Sequence, residues 1–134
     1  MIDHHAALIY TMVLVSAADR EMTDAEMQTI GDIVKHLPIF ADFDPAKLTT
    51  TAQACAELMN GDRGLDKVLD SVAKGLSEPL KETAYALACD IAAADGRPSQ
   101  EELRLLELLR HKLKVGRLAA AAIERGARAR YTTL

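Results

Sequence analysis

The chain has 134 residues, an ordinary size for one domain with one hydrophobic core, and 49% of them are hydrophobic. Aromatic residues make up only 4% and tryptophan is absent, so the composition favours packed helices over strands. The 16 basic and 20 acidic residues give a net charge of −4, which argues against nucleic acid as a partner.

The spacing of apolar residues predicts an all-α fold of about seven helices in a single compact bundle, because no period-2 alternation is long enough for a strand. Pro38 is expected to end the second helix, and Asn60 and Gly61 to end the third in a left-handed turn. The predicted helices span residues 3–18, 23–37, 45–59, 65–76, 78–94, 99–113 and 117–129.

Several expectations concern individual side chains. Leu103 is predicted to face the core from the sixth helix. Met27, in the second helix, is predicted to fill a gap in the core. His5 is expected to belong to a polar N-terminus, and Asp90 to meet solvent. The basic tail, residues 125–134, is expected to fray.

The two cysteines, Cys55 and Cys89, lie in apolar helical stretches and form no CxxC pair, so we expect them to be reduced and buried. The longest apolar run, residues 6–18, is shorter than the roughly 20 residues that span a bilayer. No N-terminal segment resembles a signal peptide. These features predict a soluble, cytoplasmic protein that does not span a membrane.

The sequence contains a weak internal repeat. A shift of 76 residues brings identical residues together, namely Ala17, Ala18, Asp19, Glu26 and Leu37 with Ala93, Ala94, Asp95, Glu102 and Leu113. The matches concentrate at two helix junctions, which we call the first corner (residues 16–27) and the second corner (residues 92–103). We therefore predict one domain, residues 1–134, with two pseudo-symmetric halves at about 5–60 and 81–130.

Each corner carries the signature of a capping box. In Thr23-x-x-Glu26 and Ser99-x-x-Glu102, the hydroxyl is expected to accept a backbone N–H while the glutamate bonds back to the cap residue. Capping therefore accounts for these four residues without a ligand.

Capping does not account for two aspartates, Asp19 and Asp95, which follow the ends of the predicted first and fifth helices. The helix dipole is unfavourable to an anion at that end, so each carboxylate requires a partner. The partner is either a hydrogen-bond network, a basic side chain or a cation. On the cation hypothesis, Asp19, Glu26, Asp95 and Glu102 hold a divalent ion such as calcium.

The second corner is similar to the latter half of an EF-hand loop. Asp95, Gly96 and Glu102 match its fifth, sixth and twelfth positions. Ile91 and Ala93 occupy the first and third positions, where an EF-hand needs carboxylates, so neither corner is an EF-hand. A site built from both corners and a purely structural network both remain open.

At this point the residues resemble a known family. Twin corners of the form Ala-Ala-Asp-x-x-x-[Ser/Thr]-x-x-Glu, in an acidic helical chain of this length, resemble the tellurite-resistance TerB family. The stretch ALACDIAAADGRPSQEELRLLELLRHKL (86–113) is the most family-like, and LVSAADREMTDAEMQTIGDIVKHL (14–37) is its partner. The resemblance covers roughly residues 5–130.

The resemblance implies a seven-helix fold of two pseudo-symmetric halves and an acidic patch that binds divalent cations. It also implies a cytoplasmic stress or tellurite-resistance factor without established catalytic activity. Such a factor works with protein partners, including membrane proteins of the same resistance system. Asp19, Glu26, Asp95 and Glu102 match the family's acidic positions. The first corner departs from the family, since Arg20-Glu21 replaces a glycine-containing turn and Arg20 is placed to neutralise Asp19.

Three functions are therefore compared. The first is a non-catalytic TerB-like binding module or adaptor, and the second is a structural protein-interaction domain whose corners are only caps. The third is an enzyme that acts on tellurium oxyanions through Cys55 and Cys89. No Ser/His/Asp or Cys/His set and no phosphate-binding loop is readable, so an enzyme is not expected. No resident cofactor beyond the candidate cation is expected, and the sequence gives no oligomeric state.

Overall fold

The structure, a computed structural model, describes residues 1–18, 22–94 and 96–134. These residues contain seven α-helices and no strand, so the predicted all-α bundle is confirmed. The helices are α1 His4–Ser16, α2 Asp24–His36, α3 Leu48–Asn60, α4 Gly64–Gly75, α5 Glu78–Ala93, α6 Gln100–Lys112 and α7 Arg117–Arg130.

Helix α1 is the centre of the bundle. It is buried on nearly all sides, from Ala7 to Ser16, because its sequence has no polar stripe that could face water. It packs most extensively against α5 and also contacts α3, α4 and α6. Many of the largest fully buried side chains come from α1, α5 and α6, and include Leu8, Met12, Tyr85, Ile91 and Leu109.

The packing places α3 on α1 and α7 on α5, so each of the two central helices carries one later helix of the chain. Helix α4 lies against α1 and α3 and is joined to α6 by the Lys112–Asp70 ion pair. The division into related segments at about 5–60 and 81–130, within one domain of residues 1–134, stays a prediction.

The N-terminus of α1 differs from the expected polar end, because His5 is buried. One ring nitrogen, Nε2, lies 2.8 Å from the carbonyl oxygen of Ile39 and 3.2 Å from Asp42 Oδ1. The ring stacks on Phe40, which is itself buried in the short 3-10 turn Pro38–Phe40. Histidine therefore anchors the loop after α2 to the core, where its sequence position alone indicated a surface residue.

The structure corrects two predictions about α3, one at each end of the helix. Residues Pro45–Lys47 form a 3-10 turn, so α3 begins at Leu48. Gly61 is extended, and the left-handed residue is Arg63 (φ 54°). The chain turns sharply there because Gly64 lies against α3: a Cβ on Gly64 would come within 2.0 Å of the Met59 carbonyl oxygen. This close approach requires glycine.

The expectation that Met27 and Leu103 face the core is wrong. They are 46% and 47% exposed. Each follows a buried glutamate by one residue, and the 100° turn per residue carries it to the edge of the apolar face.

Part of the tail that was expected to fray is helical, since α7 continues to Arg130. The guanidinium of Arg130 pairs with the Asp90 carboxylate of α5, which is only 18% exposed. Asp90 therefore binds α7 to α5 instead of facing solvent. The pairing required a partner 40 residues away, which no local pattern could indicate.

Candidate functional site

The first corner is closed by a complete capping box at the start of α2. The backbone N–H of Glu26 donates to Thr23 Oγ1 (3.1 Å), and Glu26 Oε1 accepts from the backbone N–H of Thr23 (2.9 Å). The Thr23 hydroxyl also lies 3.2 Å from the same Oε1 as a donor. The capping prediction for this corner is confirmed.

The second corner repeats this geometry at the start of α6. The backbone N–H of Glu102 donates to Ser99 Oγ (3.1 Å), and Glu102 Oε1 accepts from the backbone N–H of Ser99 (2.9 Å). Gly96, exposed between α5 and Ser99, has a φ of +101°, a conformation that L-residues rarely adopt. The turn between α5 and Ser99 therefore favours glycine at this position.

Both capping glutamates are buried: Glu26 is 2% exposed and Glu102 is 5% exposed. Carboxylates are rarely buried to this extent without strong partners, because desolvation of a charge is costly. The capping box uses one oxygen, Oε1, of each carboxylate, and the positive end of each helix dipole favours the charge. The structure thus brings two buried acidic groups to equivalent positions of the two junctions.

The other two predicted site residues, Asp19 and Asp95, lie outside the described residues, as do Arg20 and Glu21. Within the described ranges, no three His, Cys, Asp or Glu side chains gather as a metal-binding group. The predicted set of Asp19, Glu26, Asp95 and Glu102 therefore stays a prediction.

One further group lies beside the first corner. Ser16, the last residue of α1, is fully buried, and its Oγ has no hydrogen-bond partner among the residues that the structure describes. A buried hydroxyl without a partner costs free energy, and such groups are few in folded proteins. Its counterpart at the second corner is Ala92, which has no such group.

The donor chemistry at the corners fits a hard divalent cation. Calcium takes carboxylate, hydroxyl and carbonyl oxygens as ligands, and the buried Glu26, Glu102 and Ser16 side chains offer oxygens only. A soft metal that prefers thiolate is a poor fit, because the two free cysteines are buried in the core. The residues present are thus compatible with calcium or a similar ion.

The cysteines are reduced and buried, as predicted. Burial raises the pKa of the Cys55 thiol to about 12 and, as the largest cause, that of Cys89 to about 12. With pKa values this high, both thiols remain protonated near neutral pH. A thiol must ionise to act as a nucleophile, so neither cysteine is suited to that role. This argues against the third hypothesis, thiolate chemistry on an oxyanion.

A cavity of about 680 Å³, which the sequence did not indicate, adjoins the second corner. It lies among α5, α6 and α7 and is lined in part by Tyr85, Cys89, Leu103 and Glu124. The Tyr85 hydroxyl donates to Glu124 Oε2 at 2.6 Å. The only local signal was the mixture of tyrosine and cysteine in the apolar stretch of α5, which periodicity alone assigns to the core.

The fold and the two junctions define a class, the small helical domains with paired acidic corners. The chain belongs to the TerB family, since the family model described as "Tellurite resistance protein TerB" matches residues 5–125. The predicted resemblance is confirmed. No curated protein and no solved structure matches the chain. Among the described residues, none of the helices has the length and apolar character that crossing a membrane requires.

Proposed function

We propose that this chain is a non-catalytic TerB-type binding module that holds a divalent cation at its acidic corners. The observation that carries the proposal is the burial of the Glu26 and Glu102 carboxylates at equivalent positions of two junctions. Asp19 and Asp95 would complete the oxygen ligands, and calcium is the ion we expect.

The energetic argument rests on the cost of burial. A capping box returns part of the hydration that a buried carboxylate loses, and a further aspartate close to each glutamate would add repulsion between like charges. A divalent cation removes that repulsion. The Ser16 Oγ supports the same conclusion, because it has no hydrogen-bond partner within the described part of the chain and an ion or its bound water would supply one.

Membership of a family described as tellurite resistance proteins supports a role of this binding module in tellurite resistance or a related stress response. We propose that it acts in the cytoplasm as an adaptor for protein partners, including membrane proteins of such a system. The net charge of −4 disfavours nucleic acid as a partner.

One observation favours a second candidate function. Both capping boxes are complete, so Glu26 and Glu102 have a structural role that needs no ion. On this alternative the chain is a structural protein-interaction domain without metal and without a role in tellurite chemistry.

The two candidates are separated by substitutions that keep the caps and remove the charge. Glutamine preserves the capping hydrogen bond, so Glu26→Gln with Glu102→Gln should leave folding intact. The measurement is the melting temperature of chelator-treated protein, with and without calcium, magnesium or manganese. At a hundredfold excess over Kd, an ion that binds only the folded state stabilises it by about 2.7 kcal/mol.

We expect calcium to raise the melting temperature of the wild-type protein, and the shift to be lost in Glu26→Gln/Glu102→Gln and in Asp19→Asn/Asp95→Asn. The matched control is Asp24→Asn/Glu101→Gln, which removes two exposed first-turn acids outside the capping boxes. A wild-type protein that responds to no divalent ion would favour the structural domain. Complementation of a tellurite-sensitive strain then tests the resistance role separately.

A further inference from the structure

The buried glutamates proposed as cation ligands, Glu26 and Glu102, do not line the cavity beside the second corner. Apolar side chains form much of its surface: Ala92 and Ala93 from α5, Leu103 and Leu106 from α6, and Ala127 from α7. Its volume of about 680 Å³ lies within the range of small-molecule sites in proteins. A space of this size and lining can accept the apolar body of a small organic molecule.

The rim of the cavity concentrates positive charge. Arg97, Arg110 and Arg128 line it, and none of them is paired with a carboxylate among the residues that the structure describes. Two carboxylates also line the cavity, Glu107 and Glu124. This local positive excess stands out in a chain whose net charge is −4.

Two of the polar side chains that line the cavity, Tyr85 and Cys89, do not add negative charge. Glu124 accepts the hydrogen bond from Tyr85, so one of the two carboxylates is already engaged. Burial and that bond raise the pKa of the Tyr85 phenol, and burial is the main reason that the pKa of Cys89 is raised to about 12. Both side chains are therefore neutral near pH 7. Among the described residues that line the cavity, three guanidinium groups accompany two carboxylates.

We propose that this cavity binds an amphipathic organic anion, a carboxylate that carries an apolar body, as in a medium-chain fatty acid. The apolar body lies against Leu103, Leu106 and the alanines, and the carboxylate is held by the rim arginines. Arginine suits this role because its guanidinium group binds a carboxylate in a bidentate geometry. The proposal does not rest on cation binding at the corners, since none of its residues is a proposed cation ligand.

The test uses the fluorescent sulfonate 1-anilinonaphthalene-8-sulfonate as the probe. The chain lacks tryptophan, so the fluorescence of the probe is read without that background. Competition with decanoate, decanol and decyltrimethylammonium separates the need for an anion from the need for an apolar chain. We expect decanoate to displace the probe at a concentration at least tenfold lower than the other two, because a hydrogen-bonded charge pair contributes that much affinity or more.

Two pairs of variants locate the site. Arg128→Gln should weaken decanoate binding about tenfold, whereas Arg125→Gln, an exposed α7 residue that does not line the cavity, should have no effect. Leu103→Glu should abolish binding by placing a carboxylate on the apolar wall. Met27→Glu is its control, since Met27 has the same exposure at the other corner. Because all four residues are exposed, the variants should fold.

The proposal is overturned if the probe does not bind, if decyltrimethylammonium competes as well as decanoate, or if Leu103→Glu and Met27→Glu bind alike. Failure of calcium to bind would refute the cation site alone.

Discussion

The two corners are alike where a helix has to begin and different in what surrounds them. Each has a hydroxyl cap, a glutamate whose Oε1 lies 2.9 Å from the nitrogen of the cap residue, and an exposed apolar residue directly after that glutamate. Met27 and Leu103 are 46% and 47% exposed at matching positions. The likeness therefore extends beyond the capping motif itself.

The differences lie in the helices around each corner. Helix α6 buries Leu105, Leu106 and Leu109, whereas α2 buries only Ile30 and Val34 among its apolar residues. Among the residues that the structure describes, the second corner lines the cavity with α7 and the first does not, and the first has the buried hydroxyl of Ser16 where the second has Ala92. The same capping geometry therefore occurs in two different packing environments.

The largest expected effect tests how firmly each corner is anchored. Leu109→Ala should lower the free energy of unfolding by about 2–5 kcal/mol, because it leaves a void at a fully buried site of the core. Ile30→Ala should lower the free energy of unfolding by a similar amount. In this variant α2 should open before α6, because α2 has fewer buried apolar residues. Urea unfolding gives the global values, and amide hydrogen exchange shows whether α2 opens separately.

The comparison would be broken if Ile30→Ala destabilised α2 and α6 together, with equal exchange rates across both helices. In that case the two corners would belong to one cooperative unit, in spite of their unequal burial. A conservative control is Ile30→Val, which should cost only about 0.5–1.5 kcal/mol.

Much of the fold followed from local signals. The central position of α1 came from an apolar run without a polar stripe, and the starts of α2 and α6 came from Thr23 and Ser99. Local signals could not indicate which residues pair over long distances in the sequence. His5 with Ile39 and Arg130 with Asp90 join residues 34 and 40 positions apart. Such contacts depend on the packed bundle and leave no periodic trace.

The candidate site was predictable to a smaller degree. The burial of Glu26 and Glu102 is consistent with their predicted capping roles, but the motif gave no reason to expect 2% and 5% exposure. The cavity was not predictable, because its wall combines residues of three helices. The spacing of apolar residues alone assigns Leu103 to the core. A hydrophobic residue at the edge of an apolar face gives the same pattern whether it is buried or lines a cleft.

A smaller effect tests the difference at Ser16. Ser16→Ala should raise the free energy of unfolding by about 1 kcal/mol in metal-free protein, since it removes a buried hydroxyl that lacks a described partner. Thr11→Val is the control with the opposite sign, because the Thr11 hydroxyl, equally buried on α1, donates to the Ala7 carbonyl at 2.8 Å. Urea unfolding of both variants provides the measurement.

A loss of stability in Ser16→Ala would mean that the hydroxyl has a partner after all. If the variant is more stable without calcium but has a weaker response to it, Ser16 contributes to a cation site at the first corner. An unchanged calcium response would restrict Ser16 to a structural role there.

The smallest effect tests the likeness of the corners directly. Thr23→Ala and Ser99→Ala should each lower the free energy of unfolding by about 1 kcal/mol, the usual value of an N-cap hydroxyl. Thr23→Ala should cost slightly more, because its hydroxyl also contacts Glu26 Oε1 at 3.2 Å. If the corners act independently, the double variant should show the sum of the two losses to within about 0.5 kcal/mol in metal-free protein. If one cation draws ligands from both corners, calcium should introduce a coupling above that limit, because disturbing either glutamate weakens the same site. A double-mutant cycle with and without calcium therefore decides whether the repeat supplies two separate sites or one shared site.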